Sequence, residues 1–277
     1  MDSFLDRMAS LSRERARVAR NQEPIDAITR RAEAAPDPLP LTLSSFDLIA
    51  ELKLRSPAAG GLAGSRFDAS PQLDAYVAGG AAAVSVLTEP EEFGGTLEHL
   101  AAAAARLRPA GCPVMRKDFL VDPYQAVEAR ASGASGILLI AAMLGQAELD
   151  ELVAAAQELE LFILLEAFDA DDLDRLAKLK FNTARSQVLV GVNSRNLRTL
   201  AVDFERFAEL AGQLRRDVPA VAESGIESRA DIETVAGLGF SLALVGSALM
   251  RDADAAGKVA ELIAAGRNAH GSRAACS

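Results

Sequence analysis

A few charged residues interrupt otherwise apolar segments, and their types and spacing could support chemistry. Glu51 and Lys53 are two positions apart in DLIAELKL, so in an extended strand both side chains point to the same side. Glu166 is the one charge in LFILLEAF, and it needs a partner or a function to offset its desolvation. Lys53, or Lys117 in PVMRKDF, is available as that partner. Lysines beside carboxylates are the equipment of acid–base catalysis.

Two Gly/Ser pairs form a second group of candidates. Ser224-Gly225 follows the apolar segment PAVAE, and Gly246-Ser247 follows SLALV. Backbone N–H groups at such pairs, together with a helix N-terminus, hold phosphate groups at the ends of barrel strands. Asn193 ends a further apolar segment, QVLVGVN. The sequence therefore predicts a pocket for an anionic, phosphorylated small molecule.

Eight short apolar segments alternate with amphipathic helical patterns, and these elements must position the candidate residues. Segments that are apolar nearly throughout indicate parallel strands covered on both faces. The alternation predicts an α/β fold, a (β/α)8 TIM barrel, with an open doubly wound sheet as the alternative. Charges pointing outward would meet the helices, so the inward orientation of Glu51 and Lys53 is favoured. The predicted strands span residues 47–54, 82–89, 113–119, 136–142, 161–168, 187–193, 219–225 and 241–247.

The chain is predicted to form one domain with an additional N-terminal helical segment. Residues 1–46 are expected to form a helical extension and a Pro-rich lead, APDPLPL, that must be extended. The barrel is expected over residues 47–265. Residues 266–277, which are small and polar, are expected to form a disordered tail.

Composition excludes several classes of protein. The 29 basic and 39 acidic residues give a net charge of −10, and there is no Trp, which argues against partners such as nucleic acid or an anionic membrane surface. Two cysteines and two histidines lack the spacing of a zinc site, so no metal is expected. The N-terminus lacks the apolar run of a signal peptide, and no apolar stretch is long enough to span a membrane. A cytoplasmic protein is expected, and a monomer is mildly preferred.

Six segments carry a resemblance to a known family: IAELKLRSP, SVLTEPEEFGG, PVMRKDFLVDPYQ, GVNSRNL, VAESGI and LVGSALM. In these, over residues 48–264, the chain resembles the indole-3-glycerol-phosphate synthases of tryptophan biosynthesis. The resemblance implies a carboxy-lyase that converts 1-(2-carboxyphenylamino)-1-deoxyribulose 5-phosphate to indole-3-glycerol phosphate, with loss of CO₂ and water. It implies no cofactor.

The resemblance also implies roles for individual residues. Lys117 matches the general acid of ring closure, and Glu166 matches the acid–base glutamate. Lys53 matches a mobile-loop lysine that contacts phosphate or carboxylate, and Glu51 a carboxylate that orients the lysines and assists dehydration. The remaining matches are Asn193, Glu223 and Ser224 for substrate hydroxyls and the anilino end, Arg195 and Ser56 for the substrate carboxylate, and Gly225, Gly246 and Ser247 for phosphate. Phe93 and Phe119, with Leu52 and Met115, are hypothesised to form an apolar wall for the anthranilate ring.

Two departures from the family pattern keep alternatives open. The first loop reads SPAAGG, and the motif of the fifth strand reads Glu166-Ala167-Phe168. One alternative is a divergent paralogue in a specialised indole pathway, or a non-catalytic binding subunit. A less favoured one is phosphoribosylanthranilate isomerase, which typically relies on a Cys or Asp acid–base pair. Cys112 precedes its strand and would lie at the wrong pole for that chemistry.

Overall fold

Eight parallel strands form a closed barrel in the computed structural model, which describes residues 3–53, 55–56, 60–61, 68–196 and 201–275. Each strand pairs with the next along the chain, and the last pairs with the first, so the prediction of a barrel rather than an open sheet is confirmed. The strands are β1 Asp47–Leu52, β2 Ala83–Leu87, β3 Val114–Lys117, β4 Gly136–Ile140, β5 Phe162–Ala167, β6 Val188–Asn193, β7 Ala220–Glu223 and β8 Leu242–Val245.

Helices cover the outside of the barrel and follow the strands as the alternating pattern predicts. They are α1 Phe4–Gln22, α2 Ile25–Ala34, α3 Ser70–Ala78, α4 Leu97–Leu107, α5 Pro123–Ala131, α6 Gln146–Glu158, α7 Ala170–Ala177, α8 Arg206–Ala211, α9 Arg229–Leu238, α10 Ser247–Arg251 and α11 Ala255–Ala275. Residues that cap the N-terminus mark the start of several helices: Asp122 forms a capping box at α5, and Ser228 forms one at α9. After β1, the pairs Arg55–Ser56 and Gly60–Gly61 form a short antiparallel ribbon. No helix of the described residues has the length and apolarity needed to cross a membrane.

The core has two layers, because side chains alternate along each strand. Ile49, Met115 and Leu164 point into the barrel, whereas Leu48 and Val114 point outward and pack beneath the helices. The inward positions are apolar deep in the barrel and become polar toward the carboxyl ends of the strands. The alternation therefore brings the polar residues to one mouth.

The N-terminal extension contains helices α1 and α2, and α1 lies against this mouth. Phe4 and Leu5 line the cavity there. Several arginines of α1 form ion pairs with acidic residues around the mouth, among them Arg7 with Glu92, Arg13 with Glu148 in the first turn of α6, and Arg20 with Asp122. The extension is thus part of the wall of the barrel mouth.

The C-terminal segment differs from the expectation. Helix α11 continues to Ala275, so the predicted disordered tail is wrong for residues 266–275; the last two residues lie outside the described part of the chain. Gly266 packs so closely on the Phe46 ring that a Cβ would overlap it. Arg267 Nη2 lies 2.8 Å from Asp47 Oδ1, and His270 Nε2 lies 2.8 Å from the Phe240 carbonyl oxygen. These long-range contacts stabilise a helix that composition alone does not predict.

Candidate active site

A cavity at the carboxyl ends of the strands gathers nearly all of the residues singled out from the sequence. Of those, the cavity is lined by Glu51, Lys53, Phe93, Lys117, Phe119, Glu166, Asn193, Arg195, Glu223, Ser224, Gly225, Gly246 and Ser247. The side chain of Ser56 lies outside the described part of the structure, so its predicted contact with the substrate carboxylate stays a prediction.

Glu51 and Lys53 form the first ion pair of the cavity. Lys53 Nζ lies 2.8 Å from Glu51 Oε1, as their shared strand face predicts. Burial raises the pKa of Glu51, but the cationic Lys53, Lys117 and Arg195 outweigh this effect and the pKa is lowered overall. A Cβ at Gly246 would overlap Glu51 Oε1 and lie 3.1 Å from Lys53 Nζ. The glycine at the end of β8 thus leaves the space that this pair occupies.

Lys117 lies between two further carboxylates. Its Nζ is 3.6 Å from Glu166 Oε2 and 3.9 Å from Glu223 Oε2, so Lys117 is the partner of Glu166. Burial disfavours the charged ammonium, but Glu166, Glu223 and Glu51 outweigh it and raise the pKa of Lys117 above its ordinary value. Lys117 therefore holds its proton at neutral pH and can donate it to a developing anion.

The Glu166 and Glu223 carboxylates are almost fully buried, and several of their oxygens have no hydrogen-bond partner among the described residues: Glu166 Oε2 and both oxygens of Glu223. Burial, and then repulsion from Glu166, raise the pKa of Glu223 well above its usual range, although Lys117 opposes the shift. Unsatisfied buried acceptors are costly, and they are more often found where a ligand binds than in a packed core. The pair has acceptor capacity that a substrate with hydroxyl and amino groups can use.

The end of β6 is held by an arginine that the sequence analysis did not identify. Asn193 Oδ1 accepts a hydrogen bond from Arg195 N at 2.9 Å, which bends the chain at the mouth. Arg206 Nη1 donates to the carbonyl oxygens of Asn193 at 3.2 Å and of Arg195 at 3.3 Å. Arg206 of α8 thereby fixes the backbone from which both cavity side chains project.

The two Gly/Ser pairs lie on the same side of the cavity, after β7 and β8. Ser224 and Gly225 both have positive φ, 67° and 74°, and Ser194 Oγ donates to the Ser224 carbonyl oxygen at 3.0 Å. Gly246 is the N-cap of α10, a short helix that was not predicted and that begins at Ser247. This surface has the backbone arrangement expected for an anion site.

Aromatic rings form the opposite part of the cavity. The Phe93 and Phe119 ring centroids are 6.2 Å apart, and Phe4 of α1 lies 5.9 Å from Phe119 in an edge-on arrangement. The proposed contribution of Leu52 and Met115 is wrong. Leu52 faces the outer helices, because its neighbours Glu51 and Lys53 face inward, and Met115 lies deeper in the barrel interior. The lining residues that sequence reasoning missed include Phe4, Leu5, Leu87, Leu138, Ile140, Phe168, Val202, Ile226 and Leu244.

Arg116, the residue before Lys117, faces away from the cavity, contrary to the argument that outward charges are disfavoured, whereas Asp118 lies at the edge of the cavity. Arg116 Nη2 pairs with Asp118 Oδ2 at 3.0 Å, and Arg116 Nη1 pairs with Glu128 Oε2 at 3.2 Å beneath α5. Both Arg116 and Asp118 are buried. Mutual pairing offsets their desolvation, which the sequence pattern alone could not show.

Comparison with known proteins identifies relatives along nearly the whole chain. A family model described as indole-3-glycerol phosphate synthase matches residues 5–262. An indole-3-glycerol phosphate synthase of Mycolicibacterium gilvum is 41% identical over 243 residues, which cover 86% of this chain and 86% of the relative. One of Parafrankia sp. is 41% identical over 253 residues, which cover 90% of this chain and 91% of the relative.

Solved structures of other barrels share the fold. A 3-hexulose-6-phosphate synthase from Salmonella typhimurium superimposes with a TM-score of 0.60 at 16% identity, covering 81% of this chain and 100% of that one. A thiamine phosphate pyrophosphorylase from Pyrococcus furiosus gives a TM-score of 0.58 at 16% identity, covering 81% of this chain and 97% of that one. At this identity the similarity concerns the barrel architecture.

Proposed function

The chain belongs to the indole-3-glycerol phosphate synthase family, whose activity is a carboxy-lyase step of tryptophan biosynthesis, and from that premise we propose how its residues carry the reaction. The substrate is 1-(2-carboxyphenylamino)-1-deoxyribulose 5-phosphate. The observation that carries the proposal is the position of Lys117 within 4 Å of the Glu166 and Glu223 carboxylates in a cavity that Lys53 and Glu51 also line.

The substrate binds across the mouth with its phosphate and its ring at opposite ends. Its phosphate is held by backbone N–H groups at Gly225, Gly246 and Ser247. Its aromatic ring packs against the apolar wall that Phe93 and Phe119 form. The ring carboxylate binds the guanidinium of Arg195, and we expect it also to contact the hydroxyl of Ser56. The ring carbon and the ribulose carbonyl are thereby held near each other, which removes much of the entropic barrier.

Lys117 acts as the general acid of ring closure. The ring carbon attacks the C2′ carbonyl carbon and forms the new carbon–carbon bond, while the carbonyl electron pair moves to oxygen. The Lys117 ammonium donates a proton to that oxygen and stabilises its developing charge. Loss of CO₂ then returns the bond electrons to the ring.

Dehydration completes the reaction and uses the carboxylates. The C2′ hydroxyl leaves as water after it receives a proton, and a base removes one from the new ring. Glu166 and Glu51, each beside a lysine, are the acid–base groups for these transfers, and Lys53 assists. Asn193, Glu223 and Ser224 hold the substrate hydroxyls and the anilino nitrogen, which gives the unsatisfied Glu223 oxygens a partner.

The isomerase alternative depends on a reactive cysteine or aspartate, and Cys112 does not fit that role. Its Sγ lies 3.9 Å from the Ala81 carbonyl oxygen, before β3 begins and away from the mouth. Burial raises the pKa of Cys112 to about 11, which suppresses the thiolate. The non-catalytic alternative is disfavoured because every matched acid–base side chain lines the cavity.

Turnover of the purified protein tests the proposal. Because the sequence contains no Trp, indole fluorescence of the product is recorded without a protein tryptophan background. Lys117→Ala is expected to lower kcat by a factor of about 10²–10⁴ or more. Lys180→Ala, which removes an exposed lysine outside the cavity, serves as the control. A Lys117→Ala protein with native circular dichroism and near wild-type turnover would remove Lys117 from the mechanism.

We also propose that the protein acts as a cytoplasmic monomer on a small phosphorylated substrate. Light scattering during size-exclusion chromatography measures the mass directly. A mass of twice 29.1 kDa would contradict the monomer.

A further inference from the structure

Two loops carry the aromatic wall of the cavity, and each is organised by a buried carboxylate. Glu89, after β2, accepts backbone hydrogen bonds from Glu92 N at 2.7 Å and Phe93 N at 3.1 Å. Asp118, after β3, accepts one from Phe119 N at 2.8 Å. Glu89 and Asp118 are 0% and 2% exposed, respectively.

One guanidinium joins these two carboxylates. Arg15 of α1 places Nη2 2.6 Å from Asp118 Oδ1 and Nη1 3.5 Å from Glu89 Oε1. The Arg15 side chain is 26% exposed, against 63% for Arg17 on the same helix, so much less solvent screens its charge. A planar guanidinium can address two carboxylates at once, whereas an ammonium cannot reproduce that geometry.

Asp118 also connects Arg15 to the strand that carries Lys117. Its Oδ2 accepts from Thr88 Oγ1 at 2.7 Å and from Arg116 Nη2 at 3.0 Å. Arg116 in turn donates to the Gln125 carbonyl oxygen at 2.9 Å. Because Lys117 lies between Arg116 and Asp118, this network holds the backbone on both sides of it.

We propose that Arg15 is a positioning residue of the active site: by bridging Glu89 and Asp118 it sets the spacing of Phe93 and Phe119 and fixes the end of the strand that bears Lys117. The inference rests on the proposed function of this cavity, because it assigns the two rings to the substrate. Helix α1 would then contribute to substrate binding through Arg15 as well as through Phe4, which lines the cavity. Arg15 itself would touch no substrate atom.

Substitution of Arg15 tests the bridge against a general loss of helix docking. Arg15→Met is expected to raise KM by about tenfold and lower kcat by a smaller factor, since a displaced wall weakens binding and small misplacements slow chemistry. Arg15→Lys keeps one charge but not the bridge, so it should recover only part of the loss. Arg13→Met removes another ion pair between α1 and the barrel, that with Glu148 at 3.1 Å. Arg17→Met removes the pair with Glu14 within α1 itself. Both controls should stay within twofold of wild type.

Two further measurements keep the test valid if Arg15→Met is poorly stable. In Arg15→Ala, added ethylguanidinium should restore kcat/KM, while ethylammonium should not. In a double-mutant cycle, Arg15→Met and Phe119→Leu should be strongly non-additive, because the first acts through the second.

Equal losses in Arg13→Met and Arg15→Met, or full additivity with Phe119→Leu, would overturn the positioning role. Normal kinetics in Arg15→Met, together with an inactive Lys117→Ala, would contradict this inference and leave the proposed function intact. A wild-type protein without turnover would instead contradict the proposed function.

Discussion

The side chain of Glu223 fills the space that a side chain at Gly191 would need: a Cβ at Gly191 would overlap Oε1 of Glu223 and lie 3.1 Å from its Cδ. Gly191 lies in β6 and Glu223 at the end of β7, on neighbouring strands. Absence of a side chain at one position is therefore the condition for a buried carboxylate at the other. The same relationship holds between Gly246 and the Glu51–Lys53 pair.

Gly191→Ala is expected to displace the Glu223 carboxylate and lower kcat/KM by about 10²-fold, because a misplaced group in the site is costly even when the fold survives. Steady-state kinetics with indole fluorescence measure the effect. Gly237→Ala is the matched control, since nothing lies within 4 Å of a Cβ there and the residue is within α9. The control should be active and more stable by up to about 1 kcal/mol. Full activity of Gly191→Ala would contradict the close contact.

Glu223→Gln is expected to stabilise the protein at alkaline pH while lowering kcat. The raised pKa of Glu223 means that the folded state binds a proton more readily than the unfolded chain. Stability is therefore lost as pH rises from the unfolded pKa toward the folded one, and the loss is complete above it. Removing the carboxylate should raise Tm at pH 8 by about 2–4 °C, corresponding to roughly 1 kcal/mol in a chain of this size.

The sign of that effect can be checked by calorimetry across pH. The difference in Tm between Glu223→Gln and wild type should shrink toward pH 4. Glu209→Gln, at an exposed position of α8, should show no such trend. A lower Tm for Glu223→Gln at pH 8 would mean that the carboxylate stabilises the fold.

Ser247→Asp is expected to weaken binding of the substrate phosphate. A carboxylate at the start of α10 suits the helix N-terminus but repels a phosphate dianion. KM should rise by about tenfold or more with a smaller change in kcat, and inhibition by inorganic phosphate should weaken in parallel. Thr234→Asp, on the exposed side of α9, adds the same charge elsewhere and should leave both unchanged. Unaltered phosphate inhibition in Ser247→Asp would place the anion site elsewhere.

Arg206→Met is expected to loosen the end of β6. Without the two hydrogen bonds to the Asn193 and Arg195 carbonyl oxygens, the backbone that carries the Asn193 and Arg195 side chains is no longer held in place. KM should therefore rise by about tenfold. Arg229→Met removes an exposed guanidinium that pairs with Glu233 on α9 and should behave as wild type. Indistinguishable kinetics for the two variants would show that the β6 end holds its shape without Arg206.

Truncation after Ala265 is expected to destabilise the protein, because it removes the Arg267–Asp47 ion pair and the packing of Gly266 on Phe46. Chemical denaturation should show a loss of about 1–3 kcal/mol in the free energy of unfolding. Truncation after Ala275 provides the comparison. A disordered tail would make the two proteins equally stable.

Strand alternation made much of the catalytic arrangement predictable. Glu51 and Lys53 share a face in any extended strand, and the single charge of β5 indicated that Glu166 needed a partner. Alternation gives the face but not the depth within the barrel, which is why Met115 was placed at the wall and lies below it. It also cannot show how a buried charge is paired: Arg116 pairs with Glu128 beneath α5, and Asp118 pairs with Arg15 of α1, which is distant in sequence.

Residues supplied by distant segments could not be predicted from local pattern. Phe4 and Arg15 occur in a sequence typical of any amphipathic helix, and only the docking of α1 brings them to the mouth. Arg206 likewise occurs in an ordinary helical segment, and its role depends on the position of two carbonyl groups. The tail was misassigned for the same reason, since its ordering depends on contacts with Phe46 and Asp47.

Helix α1 and the C-terminal part of α11 lie at opposite poles of the barrel: α1 is beside the carboxyl ends of the strands, whereas Arg267 and His270 of α11 contact the residues that precede β1 and β8. Attachment of the protein to a solid support through a linker near His270 would leave the entrance open to solvent. Attachment through a linker near Phe4 would set the support across the entrance and slow the exchange of reactants.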